Sequence, residues 1–212
     1  KATSLNWSFI SLSSTGQYQT AVAGNIWISS DFGNNWVIKL DKNIGSCSIS
    51  STGQYQIGNE YNVAMHFSRD YGFTWSEYAS YEVVTGGDQS GVSVSLSSNG
   101  NCVAIGAPHN DAVSGADVGQ VRVYDWDGSS SWVKRAVDID GEANNDLSGR
   151  SVSLSSDGTT LAIGAPMNTG ANGIGSGHVR VYKSDSFGNF SYTSSNTAVA
   201  EVYGSIVVMK SS

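Results

Sequence analysis

Charge is scarce in this chain of 212 residues. Only 14% of it is Asp, Glu, Lys or Arg, where a globular domain usually carries about a quarter. Proline and cysteine occur twice each. No apolar run approaches the roughly 18 residues that would mark a membrane-spanning helix. The charge present leans acidic, with 18 Asp and Glu against 11 Lys and Arg and a formal net charge of −7. That balance excludes a nucleic-acid backbone as the natural partner, because binding one requires clustered cations. What the chain does have is 37 serines and 25 glycines, with 39% hydrophobic and 10% aromatic residues. The apolar share is enough to bury a core, so the Ser/Gly load marks a turn-rich β protein rather than a disordered one.

Cys47 and Cys102 fall on apolar positions of predicted strands and have no metal-ligand spacing. They read as two buried free thiols, with a single disulfide left open because sequence cannot show that their Cβ atoms meet. The chain opens on Lys1 with no signal-peptide pattern and closes just after a strand-like run, so it reads as a mature or trimmed part of something longer. Asn6-Trp7-Ser8 and Asn189-Phe190-Ser191 are N-glycosylation sequons, which make Asn6 and Asn189 candidate sugar carriers.

Internal repetition organises the chain. Ser11-Leu-Ser-Ser-Thr-Gly-Gln-Tyr-Gln19 returns 37 residues later as Ser48-Ile-Ser-Ser-Thr-Gly-Gln-Tyr-Gln56, with eight of nine positions identical. A second pair repeats at 58 residues: Asp88 to Asp127 aligns without gaps on Asp146 to Asp185, identical at 23 of 40 positions. Both pairs share Ser-x-Ser-Ser-x-Gly, so all four segments are versions of one module. In the first, Phe9 to Ser13 alternates, Ser14 to Gln17 turns and Tyr18 to Ala23 returns; Asn25 to Ser29 and Trp36 to Leu40 are the third and fourth strands.

Four-stranded units repeating at this spacing predict an all-β fold, a β-propeller or a piece of one, whose blades bury their faces against one another. The expected blades run over 5–41, 42–81, 88–137 and 146–193, with a partial fifth over 194–212. In that fifth, Thr197 to Ala200 and Ser205 to Met209 read as second and third strands, and Phe190 to Asn196 is the one candidate for its first. The loops His109–Gln120 and Met167–His178 both join second to third strands, which predicts a common rim.

Ser29-Ser-Asp-Phe-Gly-Asn-Asn-Trp36 and Ser68-Arg-Asp-Tyr-Gly-Phe-Thr-Trp75 both fit Ser-x-Asp-x-Gly-x-x-Trp. The chemistry suits a hairpin: Asp31 and Asp70 can accept backbone N–H groups, Gly33 and Gly72 can take positive φ, and Trp36 and Trp75 can pack between blades. These segments resemble the Asp-box, or BNR repeat, of sialidase-type propellers. That resemblance implies a structural role for Ser29, Asp31, Gly33, Trp36, Ser68, Asp70, Gly72 and Trp75, remote from any active site. The second pair of modules, with Gly106-Ala-Pro108 and Gly164-Ala-Pro166, resembles the FG-GAP repeat of integrin α-subunit propellers, with Ser90-Gly91 and Ser148-Gly149 standing where that family has Phe-Gly. Asp138 to Asp146, running into Ser-Gly-x-Ser-Val-Ser-Leu-Ser-Ser, is similar to repeats in large proteins of marine microbes and algae. Together these resemblances cover nearly the whole chain and imply a fold rather than an activity.

FG-GAP loops often hold calcium through several carboxylates. Here the corresponding stretches read Ser153 to Thr160 and Ser95 to Cys102, with Asp157 their only acid. A calcium ion needs six to eight oxygens, so no metal or other cofactor is expected, although Asp111 to Asp117 and Asp138 to Asp146 carry acids that could gather. Enzyme chemistry finds little purchase. Sialidases need an arginine cluster, yet Arg122 and Arg180 merely repeat one strand position and Arg69 lies within an Asp-box. No Gly-x-Ser-x-Gly elbow occurs. The chain is therefore expected to be a non-enzymatic extracellular or particle-surface module, structural or adhesive, contacting glycans or other proteins. Trp27, His66, His109, Asp111, Asp117, Trp126 and His178 are its candidate contact residues. Two alternatives remain open: a glycoside-processing, sialidase-like enzyme, and a structural subunit of a large algal virus particle or surface filament.

Overall fold

The computed structural model describes residues 5–60, 62–78, 87–111, 115–170 and 173–192, and the backbone of 200–203 and 206–209. Every regular element among them is a β-strand. The first unit contains β1 (Phe9–Leu12), β2 (Gln19–Ser29) and the start of β3 (Val37–Ile49). The second takes the rest of β3 with β4 (Gln56–Glu60), β5 (Ala64–Ser68) and β6 (Ser76–Tyr78). The third consists of β7 (Ser93–Leu96), β8 (Cys102–Ala107), β9 (Gln120–Trp126) and β10 (Trp132–Lys134), with β11 (Ile139–Asp140) also paired to β9. The fourth is β12 (Ser151–Leu154), β13 (Thr160–Ala165), β14 (His178–Ser184) and β15 (Phe190–Tyr192). β16 (Ala200–Tyr203) and β17 (Ile206–Met209) pair with each other.

All strand pairing within the sheets is antiparallel and, apart from β11 on β9, joins chain neighbours as hairpins do. Sequence divided the first two modules into separate four-stranded sheets, but the structure joins β1 to β6 in one six-stranded sheet. The expected strands over 18–23 and 25–29 run together as β2, because Gly24 takes φ +76 and shifts the register without ending the pairing. The expected outer strand over 36–40 likewise continues into Ile44 to Ile49 within β3. At the other end, Phe190 to Tyr192 pairs with β14 as the outer strand of the fourth unit, not as the start of a fifth.

The units stack face to face on apolar seams. Val22, Ile26, Ile28, Ile44 and Cys47 fill the seam between the first and second. Ile57 and Met65 meet Leu96, Val103, Ile105, Tyr124 and Trp132 between the second and third. Cys102, Ala104, Val121 and Val123 meet Leu161, Ile163 and Tyr182 between the third and fourth. In the β1–β2, β3–β4, β7–β8 and β12–β13 turns the repeated Ser-Ser pair does a second job. Ser14 N–H donates to the Ser51 carbonyl at 2.8 Å, Ser51 N–H to Ser98 at 3.1 Å and Ser98 N–H to Ser156 at 3.0 Å. The Ser14 and Ser51 hydroxyls reinforce the first two steps, at 2.9 and 3.0 Å. One serine per module thus ties each unit to the next, which accounts for much of the serine load.

Candidate functional site

The two Asp-boxes fold alike. Ser29 Oγ donates to Asp31 Oδ1 at 2.9 Å and accepts the Gly33 N–H at 2.9 Å, while Asp31 Oδ1 accepts the Asn35 N–H at 2.9 Å. Ser68, Asp70, Gly72 and Thr74 repeat these contacts at 2.8, 2.9 and 2.9 Å. Trp36 Nε1 and Trp75 Nε1 donate back to the Gly33 and Gly72 carbonyls, at 3.0 and 3.2 Å. The same outer corner of the later units lacks the motif but keeps its acid: Asp127 Oδ1 accepts the N–H groups of Ser129, Ser130 and Ser131, and Asp185 Oδ1 those of Phe187 and Asn189. The backbone bond from Asn35 holds the Asp31 carboxyl below its usual range, and those from Ser129, Ser131 and Ser130 bring Asp127 to about 2.

Between the Asp-box corner of the second unit and the β9–β10 hairpin of the third lies a cleft of about 400 Å³. Phe67, Tyr78 and Trp126 line it on the apolar side, and Thr74, Ser76, Ser129 and Ser130 bring hydroxyls. Arg69 lies between two rings, its guanidinium 4.4 Å from the Tyr55 centroid and 4.3 Å from that of Trp126. Trp126 also meets Phe67 at 5.3 Å and Trp132 edge-on at 5.6 Å, so one ring belongs both to the cleft and to the seam. Of the lining acids, Asp70 is tied into its turn and Glu77 lies 3.9 Å from Lys42. Sequence singled out Trp126 but not Phe67, Tyr78, Glu77 or the two serines. Asp70, in the second box, and Arg69 beside it also carried a local signal.

The other expected contact residues lie apart from this cleft. Trp27 packs edge-on against Trp7 at 5.7 Å, on the first unit. His66 is buried in β5, with Nε2 3.2 Å from Glu60 Oε2. His109 Nδ1 lies 3.0 Å from Asp117 Oδ1, and Asp111 Oδ1 accepts the Asp117 N–H at 2.9 Å. The far half of that loop is not a free rim: Asn145, Leu147 and Ser148 donate backbone N–H groups to Ala116, Asp117 and Val118. His178 Nδ1 lies 3.5 Å from Glu142 Oε2, and Arg180 pairs with the same carboxylate. Residues 112–114 and 171–172 of the two loops, and residues 194–199 of the expected fifth blade, lie outside the described residues. Asn6 and Asn189 are both exposed, and Asn189 Nδ2 donates to Asp185 Oδ2 at 3.2 Å.

The acids considered for a cation are engaged with protein groups. Asp138 pairs with Lys134 at 2.9 Å, and Asp140 accepts from Gln120 at 2.8 Å. Asp146 accepts from Asn168 at 2.7 Å, and Asp157 from Ser155 at 2.6 Å. Among the described residues no three His, Cys, Asp or Glu side chains are grouped to hold a metal. Cys47 and Cys102 are free and buried, and burial pushes both thiols up to about 12, which keeps them protonated and unreactive at neutral pH. No helix among the described residues is long and apolar enough to cross a membrane.

No protein-family model matches the chain, and no curated protein does. Solved structures do resemble it. A functionally unknown protein from Desulfotomaculum acetoxidans matches with a TM-score of 0.61 at 14% identity, over 92% of this chain and 57% of its own. A GH74 enzyme from Niastella koreensis matches with a TM-score of 0.58 at 16% identity, over 88% of this chain and 30% of its own. An ancestral GH74 enzyme matches with a TM-score of 0.56 at 12% identity, over 88% and 26%. At these identities the likeness is one of fold alone, and the chain spans less than two thirds of each of these proteins.

Proposed function

We propose that the four units are blades of a β-propeller array, Asp-box blades followed by FG-GAP-like ones, with residues 194–212 as a partial fifth. On this reading the chain is a non-enzymatic, extracellular or particle-surface module that holds glycans or protein surfaces. The observation that carries it is the cleft beside Trp126. Its wall is aromatic, its mouth is rich in hydroxyls, and its two acids are occupied by a turn and by Lys42. Such a lining suits the apolar face and hydroxyl edge of a sugar, or a short polar peptide, better than it suits proton transfer, which needs a free acid and base in reach of the substrate.

The test is a glycan and peptide array probed with the full chain. Glu77 and Ser130 are exposed, so Glu77→Ala with Ser130→Ala leaves the fold intact and should lower binding of any hit about tenfold. Unchanged binding by that variant moves the contact surface away from the cleft. The likeness to GH74 enzymes supports a second reading, glycoside processing. Turnover of a β-glycan or sialoside panel by the purified chain would establish it in place of the first.

A further inference from the structure

The cleft beside Trp126 holds a cation without a counter-ion. Arg122, Arg135 and Arg180 each pair with a carboxylate, that of Asp138, Asp125 and Glu142 respectively. The Arg69 guanidinium pairs with none among the described residues. With 18 acidic residues against 11 basic ones, the chain does not lack partners for it. The two acids of the cleft wall are engaged elsewhere. Asp70 Oδ1 accepts the Ser68 hydroxyl and the Thr74 N–H, and its Oδ2 accepts the Thr74 hydroxyl. Glu77 lies 3.9 Å from Lys42.

Comparison with the first box shows how the arginine comes to be there. That box has an exposed serine, Ser30, at the same position. Tyr18, the repeat counterpart of Tyr55, meets the ring of Tyr71 from the second unit at 4.7 Å. At the matching corner of the third unit Gly128 stands in place of Tyr71, and nothing lies within 4 Å of an added Cβ there. No tyrosine then reaches Tyr55, and Arg69 takes that place, 4.4 Å from Tyr55 and 4.3 Å from Trp126. Gln54 fixes the backbone on both sides: its Nε2 donates to the Arg69 carbonyl at 3.3 Å, and its carbonyl accepts the Tyr71 N–H at 3.0 Å. A guanidinium held between two rings offers a ligand its edge, where the N–H fork fits two oxygens of a carboxylate or a sulfate. In the same cleft the Ser76 and Ser130 hydroxyls make no hydrogen bond among the described residues.

Resting on the glycan reading of this cleft, we propose that it selects an acidic sugar residue, one bearing a carboxylate or a sulfate ester, and that Arg69 reads the charge. One such residue brings anionic oxygens and several ring hydroxyls in a single compact unit. That matches one N–H fork and two unengaged hydroxyls in a space of about 400 Å³. An aspartate or glutamate side chain brings the charge without the hydroxyls. A neutral sugar brings the hydroxyls but covers Arg69 without meeting its charge, which costs desolvation.

The test titrates the full chain calorimetrically with matched β-glucan and β-galactan oligosaccharides. Each is supplied neutral, oxidised to the uronate and sulfated, and hexaglutamate serves as the acidic peptide. An acidic oligosaccharide should bind about tenfold tighter than its neutral parent, the difference one charged, two-pronged contact makes. The tighter of the uronate and the sulfate identifies the group, and hexaglutamate should bind more weakly than either. Arg69→Met keeps an unbranched stem between the rings and removes the charge, so the acidic-to-neutral ratio should fall to about one. Arg69→Lys keeps a point charge without the fork and should retain a ratio of about threefold. Near-UV circular dichroism of the aromatic cluster checks that each variant is folded. An acidic preference that survives Arg69→Met overturns the role of Arg69, and tighter binding of hexaglutamate overturns the sugar. If neutral and acidic forms bind equally, and Glu77→Ala with Ser130→Ala weakens both, the acid selectivity falls while the cleft stands as a glycan site. If none of the oligosaccharides binds, the glycan reading falls with it.

Discussion

Between the first and second units the chain needs only Asp41, Lys42 and Asn43 to pass from the outer strand at Leu40 to the inner strand at Ile44, and pairing runs on through β3. Between the third and fourth units it travels from Lys134 to Ser151 and folds that link into a second interface. Gly141, Asn145, Leu147 and Ser148 donate backbone N–H groups to Gly119, Ala116, Asp117 and Val118 on the neighbouring loop. Arg135 adds a clamp, gripping Asp125 through two nitrogens at 2.7 and 2.5 Å and the Gly158 carbonyl at 2.5 Å. One module is therefore joined by continuous strand in the first half, and by loop, link and side chain in the second. A short link keeps the sheet whole; a long link frees the sheets to separate, and polar contacts must then fix their spacing.

Five perturbations would break or sharpen that contrast. The largest effect is expected at Gly106, where an added Cβ would collide with the Gly149 backbone and with Ser93 Oγ at the seam of the third and fourth units. Gly106→Ala should cost about 3 kcal/mol in urea unfolding and should open the second half before the first, read by hydrogen exchange. Uniform loss of protection would mean the halves are one cooperative block. Next, Arg135→Met should cost about 1–2 kcal/mol at low salt and less at high salt, since the Asp125 carboxylate is partly exposed. Lys42→Met, which removes only an exposed pair in the first half, should cost below about 0.5 kcal/mol. Equal losses would remove the distinction between the two junctions.

A cost between those two is expected at Gly24, where nothing lies within 4 Å of an added Cβ and only the positive φ resists it. Gly24→Ala should then cost about 1 kcal/mol, and a loss as large as that at Gly106 would show that the bend in β2 is packed after all. The smallest effect is acid sensitivity, and it should be common to both halves. Asp31 and Asp127 are held below the free aspartate value of about 3.9 by backbone N–H groups. Their stabilisation is complete above about pH 4 and is lost as pH falls toward 2, because the unfolded chain takes up the protons first. The melting temperature should drop over that window, and Asp127→Asn should flatten part of the drop; a flat profile in the wild type would remove these turns from the stability of either half.

Much of this was legible in the residues. The repeats located the Ser-Ser turns and the two boxes with their aspartates, because those features are local and each is decided by a few neighbouring side chains. The cleft was legible only in part, through Trp126 and the box segment at Arg69 and Asp70, since Phe67, Tyr78, Ser129 and Ser130 come from two units and meet only when the seam forms. His66 read as a candidate contact because its ring has no counterpart in every module; the structure buries it beside Glu60, and burial depends on what stacks across the sheet.

Sequence by itself determined the period, the turn chemistry and the alternation of each strand, all properties of residues within a few positions of one another. Tertiary structure alone decided which strands fuse across a three-residue link, which acids are spent on neighbouring loops, and which serine hydroxyl is left without a carbonyl. Those outcomes depend on how one unit's face meets the next, and a repeated module carries the same face whether or not anything covers it. Ser46, Ser93 and Ser151 occupy the same register on equivalent strands, and only the stack distinguishes the two that are bonded from the one that is not.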